Sequence, residues 1–152
     1  MLMSDLEWMR RAITLAQKAE QQGEVPVGAL LVREGVCVGE GWNQPILRHD
    51  PSAHAEINAL RDAGQATENY RLIDTVLYVT LEPCVMCMGA IANARVRRLV
   101  FGASDPARGA AGSILSLSNA SFLNHHIETE GGLLAEECSE LLRSFFARRR
   151  RK

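Results

Sequence analysis

Long hydrophobic runs are missing from the sequence, since no apolar stretch approaches the roughly 18 residues that a membrane-spanning helix requires. The first residues also lack the basic and then apolar order of a secretory signal, because Asp5 and Glu7 fall within them. Without an export signal, the four cysteines are expected to stay reduced. We therefore expect a cytoplasmic protein with no membrane segment, in which a close cysteine pair favours metal binding or redox chemistry over a structural disulfide.

A net charge is almost absent as well: 17 Lys and Arg stand against 18 Asp and Glu, which gives −1. The balance hides an asymmetry, because residues 148–152 are all basic and the preceding 147 residues carry a formal charge of −6. This pattern predicts one domain over residues 1–147 and a basic C-terminal tail over residues 148–152, a candidate contact for an anionic partner. A solvated cationic end that aids solubility fits the composition equally well.

The remaining composition is that of an ordinary globular domain, with 47% hydrophobic and 23% charged residues, and it excludes disordered and collagen-like chains. Turn residues and hydrophobic spacing predict an α/β domain with helices packed on a central sheet. Ser4 and Glu7 form a capping box at the start of the first helix. The predicted elements are, in chain order, a helix ended by Gly23, a hairpin over 27–32 and 36–42, a loop over 43–51, a helix from Ser52 ended by Gly64, a strand over 75–80, a helix over 84–94, a strand over 97–101, an irregular region over 103–124 with a helical turn at 113–117, a short strand at 127–129, and a last helix from Leu133 or Leu134.

Two short motifs carry the chemistry, and each falls at a predicted helix start. The first is His54-Ala55-Glu56, and the second is Pro83-Cys84-Val85-Met86-Cys87. Cys84 and Cys87 are three residues apart, so on a helix their sulfurs share one face and can bind one ion. Backbone N–H groups in a first helical turn favour thiolate over thiol. Two thiolates and one imidazole balance the charge of Zn²⁺ and leave its fourth tetrahedral position open, which is typical of a catalytic zinc site.

Glu56 is the additional residue of the first motif. On an ideal helix, it points to a different side from His54, so the two converge only if the site lies beyond the helix tip. A carboxylate beside zinc-activated water can take up a proton and pass it to a leaving group.

Other readings of the cysteine pair remain open at this point, because a lone C-x-x-C also occurs in redox and structural zinc sites. A thioredoxin-like context does not fit the preceding proline and the upstream His-x-Glu. A structural zinc site requires a fourth protein ligand. The spare candidates have no paired spacing and are read as buried or loop residues; they are Cys37, Cys138, His49, His125 and His126.

Both motifs match the H-x-E…P-C-x-x-C signature of the zinc-dependent nucleobase deaminases. The chain resembles that superfamily, which includes the cytidine and deoxycytidylate deaminases, and within it the bacterial tRNA-specific adenosine deaminases. The resemblance extends from the first helix to Phe146. It is carried in addition by residues 24–29, 41–43, 49–51, 69–72, 79–84, 100–103 and 109–113.

The resemblance implies hydrolytic deamination of adenosine to inosine at the wobble position of a tRNA anticodon, chiefly in an arginine tRNA. The implied fold is a cytidine deaminase-like three-layer α/β/α sandwich around a five-stranded mixed sheet, in a homodimer that binds the anticodon stem-loop. One Zn²⁺ per subunit is implied, with activated water as the nucleophile. The implied site residues are the metal ligands His54, Cys84 and Cys87, the proton shuttle Glu56, and the substrate-binding residues Asn43, Asp105, Phe145 and Arg149.

Two departures from the family pattern affect the expected RNA contacts, namely Pro106 directly after Asp105 and the polar stretch over residues 118–122. Two competing hypotheses also follow from the motifs. One is a zinc deaminase of a small substrate such as guanine, cytosine or a mononucleotide. The other is a catalytically silent, zinc-stabilised RNA-binding module, against which Glu56 argues because such a module needs no proton shuttle.

Overall fold

Residues 2–150 are described by a computed structural model. Arg151 and Lys152, the end of the predicted basic tail, lie outside the described residues. The elements are α1 (Asp5–Gln21), β1 (Gly28–Arg33), β2 (Val36–Trp42), α2 (Pro45–Arg48), α3 (Ala55–Thr67), β3 (Thr75–Leu81), α4 (Val85–Asn93), β4 (Arg98–Ala103), β5 (Glu128–Glu130) and α5 (Ala135–Arg150). Within residues 2–150, no helix is both long enough and apolar enough to cross a membrane.

The five strands form one mixed sheet in the order β2-β1-β3-β4-β5. β1 pairs antiparallel with both β2 and β3, with Ala29 opposite Val79 in the second ladder. β3, β4 and β5 run parallel to one another. A parallel pair requires a crossover, and α4 supplies it between β3 and β4.

Helices cover both faces of the sheet because successive strand residues point to opposite sides. Ala29 and Leu31 of β1 pack on the side of α3 and α4, with Ala59 and Met88 among their neighbours. Leu30 packs on the other side, against α1 and Cys138 of α5. The predicted three-layer α/β/α sandwich with a five-stranded mixed sheet is thereby confirmed.

The predicted start of α1 is confirmed. The Ser4 hydroxyl accepts a hydrogen bond from the Glu7 N–H at 3.2 Å, and the Ser4 N–H donates to Glu7 Oε1 at 3.3 Å. Asp5, in the first turn, accepts hydrogen bonds from Tyr78 of β3 and Arg98 of β4. These contacts fasten the beginning of the chain to the centre of the sheet.

Helix α3 lies unusually close to β2, and glycines make this possible. A Cβ atom at Gly41 would lie 2.4 Å from both the Ala55 carbonyl oxygen and the Ala59 nitrogen, and one at Gly39 would lie 2.6 Å from the Ala59 carbonyl oxygen. Only residues without a side chain allow this approach. The first turn of α3, which follows His54, is therefore seated directly on the sheet.

The predicted bounds of the second helix are wrong at both ends. His54, in extended backbone geometry, precedes the first residue of α3, whereas Ser52 lies in a turn where Asp50 Oδ1 accepts its N–H and hydroxyl. Gly64 lies inside the helix, which ends at Glu68 in the left-handed region with φ 54°. A serine that satisfies its own turn is no longer free to cap a helix two residues later.

Two further local expectations differ from the structure. The predicted loop over residues 43–51 contains the short helix α2, whose first residue, Pro45, has a φ suited to that position. The predicted helical turn at residues 113–117 is absent from the described fold. Instead, Ala111 and Ser116 form an isolated bridge that closes a turn.

Candidate metal centre and active site

The beginnings of α3 and α4 meet at one edge of the sheet. His54 is the residue that precedes α3, and Cys84 is the residue that precedes α4. Cys87 lies in the first turn of α4 and is fully buried. Two motifs that are 30 residues apart in the chain therefore place their donor atoms together.

The three donor atoms have the spacing that a tetrahedral zinc ion requires. The Nδ1 atom of His54 lies 3.6 Å from Cys84 Sγ and 3.5 Å from Cys87 Sγ. Tetrahedral bonds of about 2.3 Å to sulfur and about 2.05 Å to nitrogen separate those atoms by about 3.6 Å. Within residues 2–150, this is the one group of three or more His, Cys, Asp or Glu side chains close enough to hold a metal. The group fits zinc and leaves a coordination position open.

The spare ligand candidates of the sequence lie elsewhere. Cys37 is half-buried in β2, and its thiol donates to the Gly39 carbonyl. Cys138 is buried in the core beneath α5. A ring nitrogen of His125 lies 2.6 Å from the Val96 carbonyl oxygen. None of them adds a fourth ligand, so the arrangement does not fit a structural zinc site.

The thiols of the cluster differ sharply in acidity. A hydrogen bond from the Cys87 thiol, aided by His54, lowers the pKa of Cys84 to about 3. The same bond, together with burial, raises the pKa of Cys87. The hydrogen bond to Cys84 also raises the pKa of His54. Since metal ligands must be deprotonated, binding of a metal releases protons from this cluster and weakens as the pH falls.

Glu56 lies beside the cluster and is only 4% exposed. Burial raises the pKa of its carboxyl group to about 7. A group with such a pKa exchanges protons readily at neutral pH. His54 stands outside the helix in extended geometry, with φ −73° and ψ 158°, and Glu56 is the second helical residue. This position beyond the helix tip lets both side chains line one cavity.

That cavity has a volume of about 590 Å³. Of the predicted substrate-binding residues, Asn43 and Asp105 line it. Asn43 Oδ1 accepts a hydrogen bond from the Ala55 N–H at 2.8 Å, so this side chain caps α3 in place of His54. Asp105 Oδ1 accepts hydrogen bonds from the N–H groups of Ala107 and Arg108, both at 3.1 Å.

The other two predicted substrate-binding residues lie away from the cavity lining. Phe145 is 5% exposed and packs edge-on against Phe146, which does line the cavity. The Arg149 guanidinium lies 4.9 Å from the centre of the Phe145 ring and donates to the Gly23 carbonyl. Arg148 forms an ion pair with Glu20. The described part of the basic tail thus continues α5 and contacts the end of α1.

Sequence reasoning assigned no role to Glu82, which also lines the cavity and is 3% exposed. Its carboxylate accepts hydrogen bonds from backbone N–H groups of the irregular segment over residues 105–113. The sequence does contain a signal for Glu82, namely a charged residue at the end of an apolar strand and directly before Pro83 and Cys84.

Comparisons with known proteins agree with this geometry. The family model of the cytidine and deoxycytidylate deaminase zinc-binding region matches residues 3–103. The tRNA-specific adenosine deaminase of Haemophilus influenzae is 53% identical over 147 residues, covering 96% of this chain and 85% of the relative. That of Bacillus subtilis is 42% identical over 145 residues, covering 95% and 90%.

Solved structures give the same result. A structure from a study of A-to-I editing by tRNA:A34 deaminases superimposes with a TM-score of 0.87 at 40% identity, covering 90% of this chain and 99% of the other. Guanine deaminase from Bacillus subtilis superimposes with a TM-score of 0.67 at 32% identity, covering 93% and 94%. The chain belongs to the cytidine and deoxycytidylate deaminase family of zinc-dependent hydrolases and, within it, to the group of the tRNA-specific adenosine deaminases.

Proposed function

We propose that the chain converts adenosine to inosine at the wobble position of a tRNA anticodon, chiefly in an arginine tRNA. The observation that carries the proposal is the buried Glu56, which lines one cavity with His54 and Cys84 and lies beside the group that these two form with Cys87, in a chain 53% identical to a tRNA-specific adenosine deaminase. The reduced thiols and the tRNA substrate are consistent with a cytoplasmic enzyme.

His54, Cys84 and Cys87 would hold one Zn²⁺ per subunit, through one imidazole nitrogen and two sulfurs. When bound, the metal supplies a Lewis acid that lowers the pKa of water from about 15.7 to about 7. The low pKa of Cys84, about 3, keeps that ligand in its thiolate form at neutral pH.

Glu56 handles the protons of the reaction. Deamination breaks the bond between C6 of adenine and its amine, forms a bond between C6 and oxygen, and releases ammonia. The Glu56 carboxylate, whose pKa is about 7, can take a proton from the attacking water and deliver it to N1 of the base. It can then take the remaining proton of the C6 hydroxyl and deliver it to the departing amine. Its burial excludes bulk water as a competing proton source.

The recessed position of the cluster is compatible with a polynucleotide substrate. A base must leave its stack to reach Glu56, and this costs least in a loop that is already single-stranded. Asn43 lines the cavity and uses its Oδ1 atom to cap α3, so its amide N–H₂ would be the donor for the base. Asp105 would contact the nucleotide backbone beside the target base.

The last helix would lie along the anticodon loop. Phe146 stands at the cavity and is 43% exposed, with Phe145 supporting it from behind and Arg149 stacked on that ring. Phosphates would draw Arg148 and Arg149 away from Glu20 and Gly23. Deletion of residues 148–152 is expected to weaken tRNA binding and its salt dependence, whereas Arg143→Gln, which disrupts a local ion pair with Glu136 and Glu140, leaves both unchanged. An unaltered salt slope in the deletion variant would limit the tail to a role in solubility.

A homodimer is also proposed, on the basis of the family resemblance and an exposed apolar surface. Tyr70 is 70% exposed and lines one groove with Met86, and Val85, the residue before Met86, is 58% exposed. Val85 and Met86 fall between the two cysteine ligands, so a partner docked here would stand against the metal centre. Light scattering of Val85→Asp should show monomers where the unmodified chain shows dimers; a monomeric unmodified chain would contradict the proposal.

One assay tests the activity. The zinc-loaded protein is incubated separately with an arginine tRNA that carries an A-C-G anticodon, with free guanine and with cytidine, and inosine, xanthine and uridine are measured. We expect inosine in the tRNA alone. Xanthine without inosine would instead favour a zinc deaminase of a small substrate. The likeness to guanine deaminase is the reason to test guanine. No product from any substrate would favour a binding module.

A further inference from the structure

Glu82 occupies a buried junction between β3 and α4. It follows the last strand residue, Leu81, and precedes Pro83 and Cys84. Its side chain is 3% exposed and reaches the cavity that contains Glu56. Burial of a carboxylate costs free energy unless hydrogen bonds compensate it, so the hydrogen-bond partners of Glu82 indicate its role.

Four donors from one segment converge on this carboxylate. Oε1 accepts the Asp105 N–H at 3.0 Å, and Oε2 accepts the N–H groups of Ala111 and Ser113, each at 3.0 Å. The Ser113 hydroxyl donates to Oε1 as well. Only an ionised carboxylate offers enough acceptor sites for such a set without a donor of its own. We define residues 105–113 as the outer wall of the cavity.

The outer wall closes tightly over Glu82. A Cβ atom at Gly109 would lie 2.3 Å from the Glu82 carboxyl carbon and 2.4 Å from each of its oxygens. The Ala110 N–H donates to the Pro83 carbonyl at 2.8 Å, and the Glu82 N–H donates to the Ala103 carbonyl at 2.8 Å. The outer wall and the strand residue Ala103, which lies just before it, are therefore both attached to the residues that lead into the metal-ligand motif.

This attachment has a consequence for substrate binding. Asp105, Pro106 and Arg108 face the cavity, yet the wall has no helix or strand of its own to hold them. Asp105 orders the turn that follows it through Ala107 and Arg108, and Glu82 holds the backbone of Asp105 itself. The position of the wall relative to the cysteine ligands thus depends on this carboxylate, together with the backbone bond from Ala110 to Pro83.

We propose that Glu82 is a positioning residue for the substrate nucleotide, because its carboxylate holds the outer wall at a fixed place relative to Cys84 and Cys87. The identity of that substrate as RNA rests on the proposed function. Glu82 touches neither the base nor the metal donors in this role; it acts through Asp105 and its neighbours.

The test uses three variants of the zinc-loaded protein. Glu82→Gln keeps the side-chain volume but turns an acceptor into an N–H₂ donor that faces backbone N–H groups. Ser113→Ala removes one donor with little risk to folding. Thr75→Val is the control, because Thr75 is fully buried at the opposite end of β3, where its hydroxyl donates to the Leu72 carbonyl at 2.6 Å.

In Glu82→Gln, we expect KM for the tRNA to rise about tenfold while kcat stays within about threefold, which is the signature of lost binding rather than lost chemistry. Zinc content should be unchanged. Amide hydrogen exchange at Asp105, Ala111 and Ser113 should accelerate. Ser113→Ala should shift the same quantities in the same direction by a smaller factor, and Thr75→Val should lower Tm without changing KM.

The role assigned to Glu82 would be overturned if amide exchange at those three residues were unchanged in Glu82→Gln. It would also be overturned if Thr75→Val, compared at the same loss of Tm, showed an equal rise in KM. If Glu82→Gln does not fold, Ser113→Ala decides by the same criteria. Failure of the proposed function has a different signature, namely an unmodified protein that leaves the tRNA unconverted. In that case, amide exchange at Asp105, Ala111 and Ser113 still decides whether Glu82 positions the wall.

Discussion

The metal cluster and the outer wall border the same cavity, but they are held in place by different means. His54 and Cys84 directly precede two helices that are packed on the sheet, and Cys87 lies in the first turn of the second of them. The outer wall is irregular, and side-chain to backbone hydrogen bonds on Glu82 hold it. In such a site, a rigid frame holds the reacting groups, whereas the contacts to the substrate depend on a few hydrogen bonds.

The largest effect is expected where the rigid part is broken. Cys87→Ala removes a buried sulfur ligand, so the protein should lose its zinc and its deaminase activity should fall to background. Zinc content per chain and inosine formation measure this. Cys37→Ala, at a half-buried thiol outside the cluster, serves as the control and should keep both. A zinc-free Cys87→Ala that still turns over would remove the metal centre from the mechanism.

The second effect separates metal binding from proton transfer within the same rigid region. Glu56→Ala should retain zinc and RNA affinity, because Glu56 is not one of the three residues that supply metal donor atoms. Its kcat should fall about 10²–10⁴-fold. Single-turnover rates and zinc analysis distinguish the two properties. Substantial residual turnover would show that another group moves the proton.

The third prediction addresses the outer wall. Gly109→Ala places a methyl group against the Glu82 carboxylate, so the wall must shift and KM for the tRNA should rise several-fold while zinc stays bound. Gly89→Ala, in α4, is the matched control because a Cβ atom there meets nothing within 4 Å. Equal kinetics in the two alanine variants would mean that the wall tolerates displacement.

The smallest effect should come from a site that belongs to neither region. A hydrogen bond from Arg98, offset by burial and aided by Tyr78, lowers the pKa of Asp5. Since the folded pKa lies below the unfolded value of about 3.9, this stabilisation is present above that pH and is lost as the pH falls through the folded pKa. Asp5→Asn should cost about 1 kcal/mol at pH 7, because the pair is partly exposed, and less at pH 2, where part of this stabilisation is lost.

Urea titrations at the two pH values measure this difference, and kinetics at pH 7 provide the comparison with the other variants. KM and kcat of Asp5→Asn should match those of the unmodified protein. A change in KM would show that the anchoring of α1 reaches the cavity, and that the two regions are not independent of the rest of the fold.

The same contrast explains what could be predicted from the sequence. The metal motifs are local, and each carries its own helix start, so His54, Cys84, Cys87 and Glu56 could be placed before the fold was known. Glu82 was missed because its partners lie 23 to 31 residues further along the chain, and no spacing rule connects them.

The sequence also does not determine how the last helix is rotated about its own axis. Phe145 and Phe146 are adjacent and chemically identical, yet one is 5% exposed in the interior and the other is 43% exposed at the cavity. The apolar pattern of α5 does not determine which of the two faces inward, since neighbouring helical residues differ by about 100° in direction. The error at Ser52 has a similar origin, because its hydrogen-bond partner Asp50 precedes it rather than follows it.

Because α3 packs closely on β2, Gly39 and Gly41 fix the position of the imidazole of His54, which directly precedes α3. A single methyl group at Gly41 would collide with the backbone of Ala55 and displace the adjoining His54 relative to the two sulfurs. Coordination tolerates errors of about 0.2 Å, far less than such a displacement. The edge strand β2, which contributes none of the three donor atoms, therefore limits how precisely the proposed zinc ligands can be aligned.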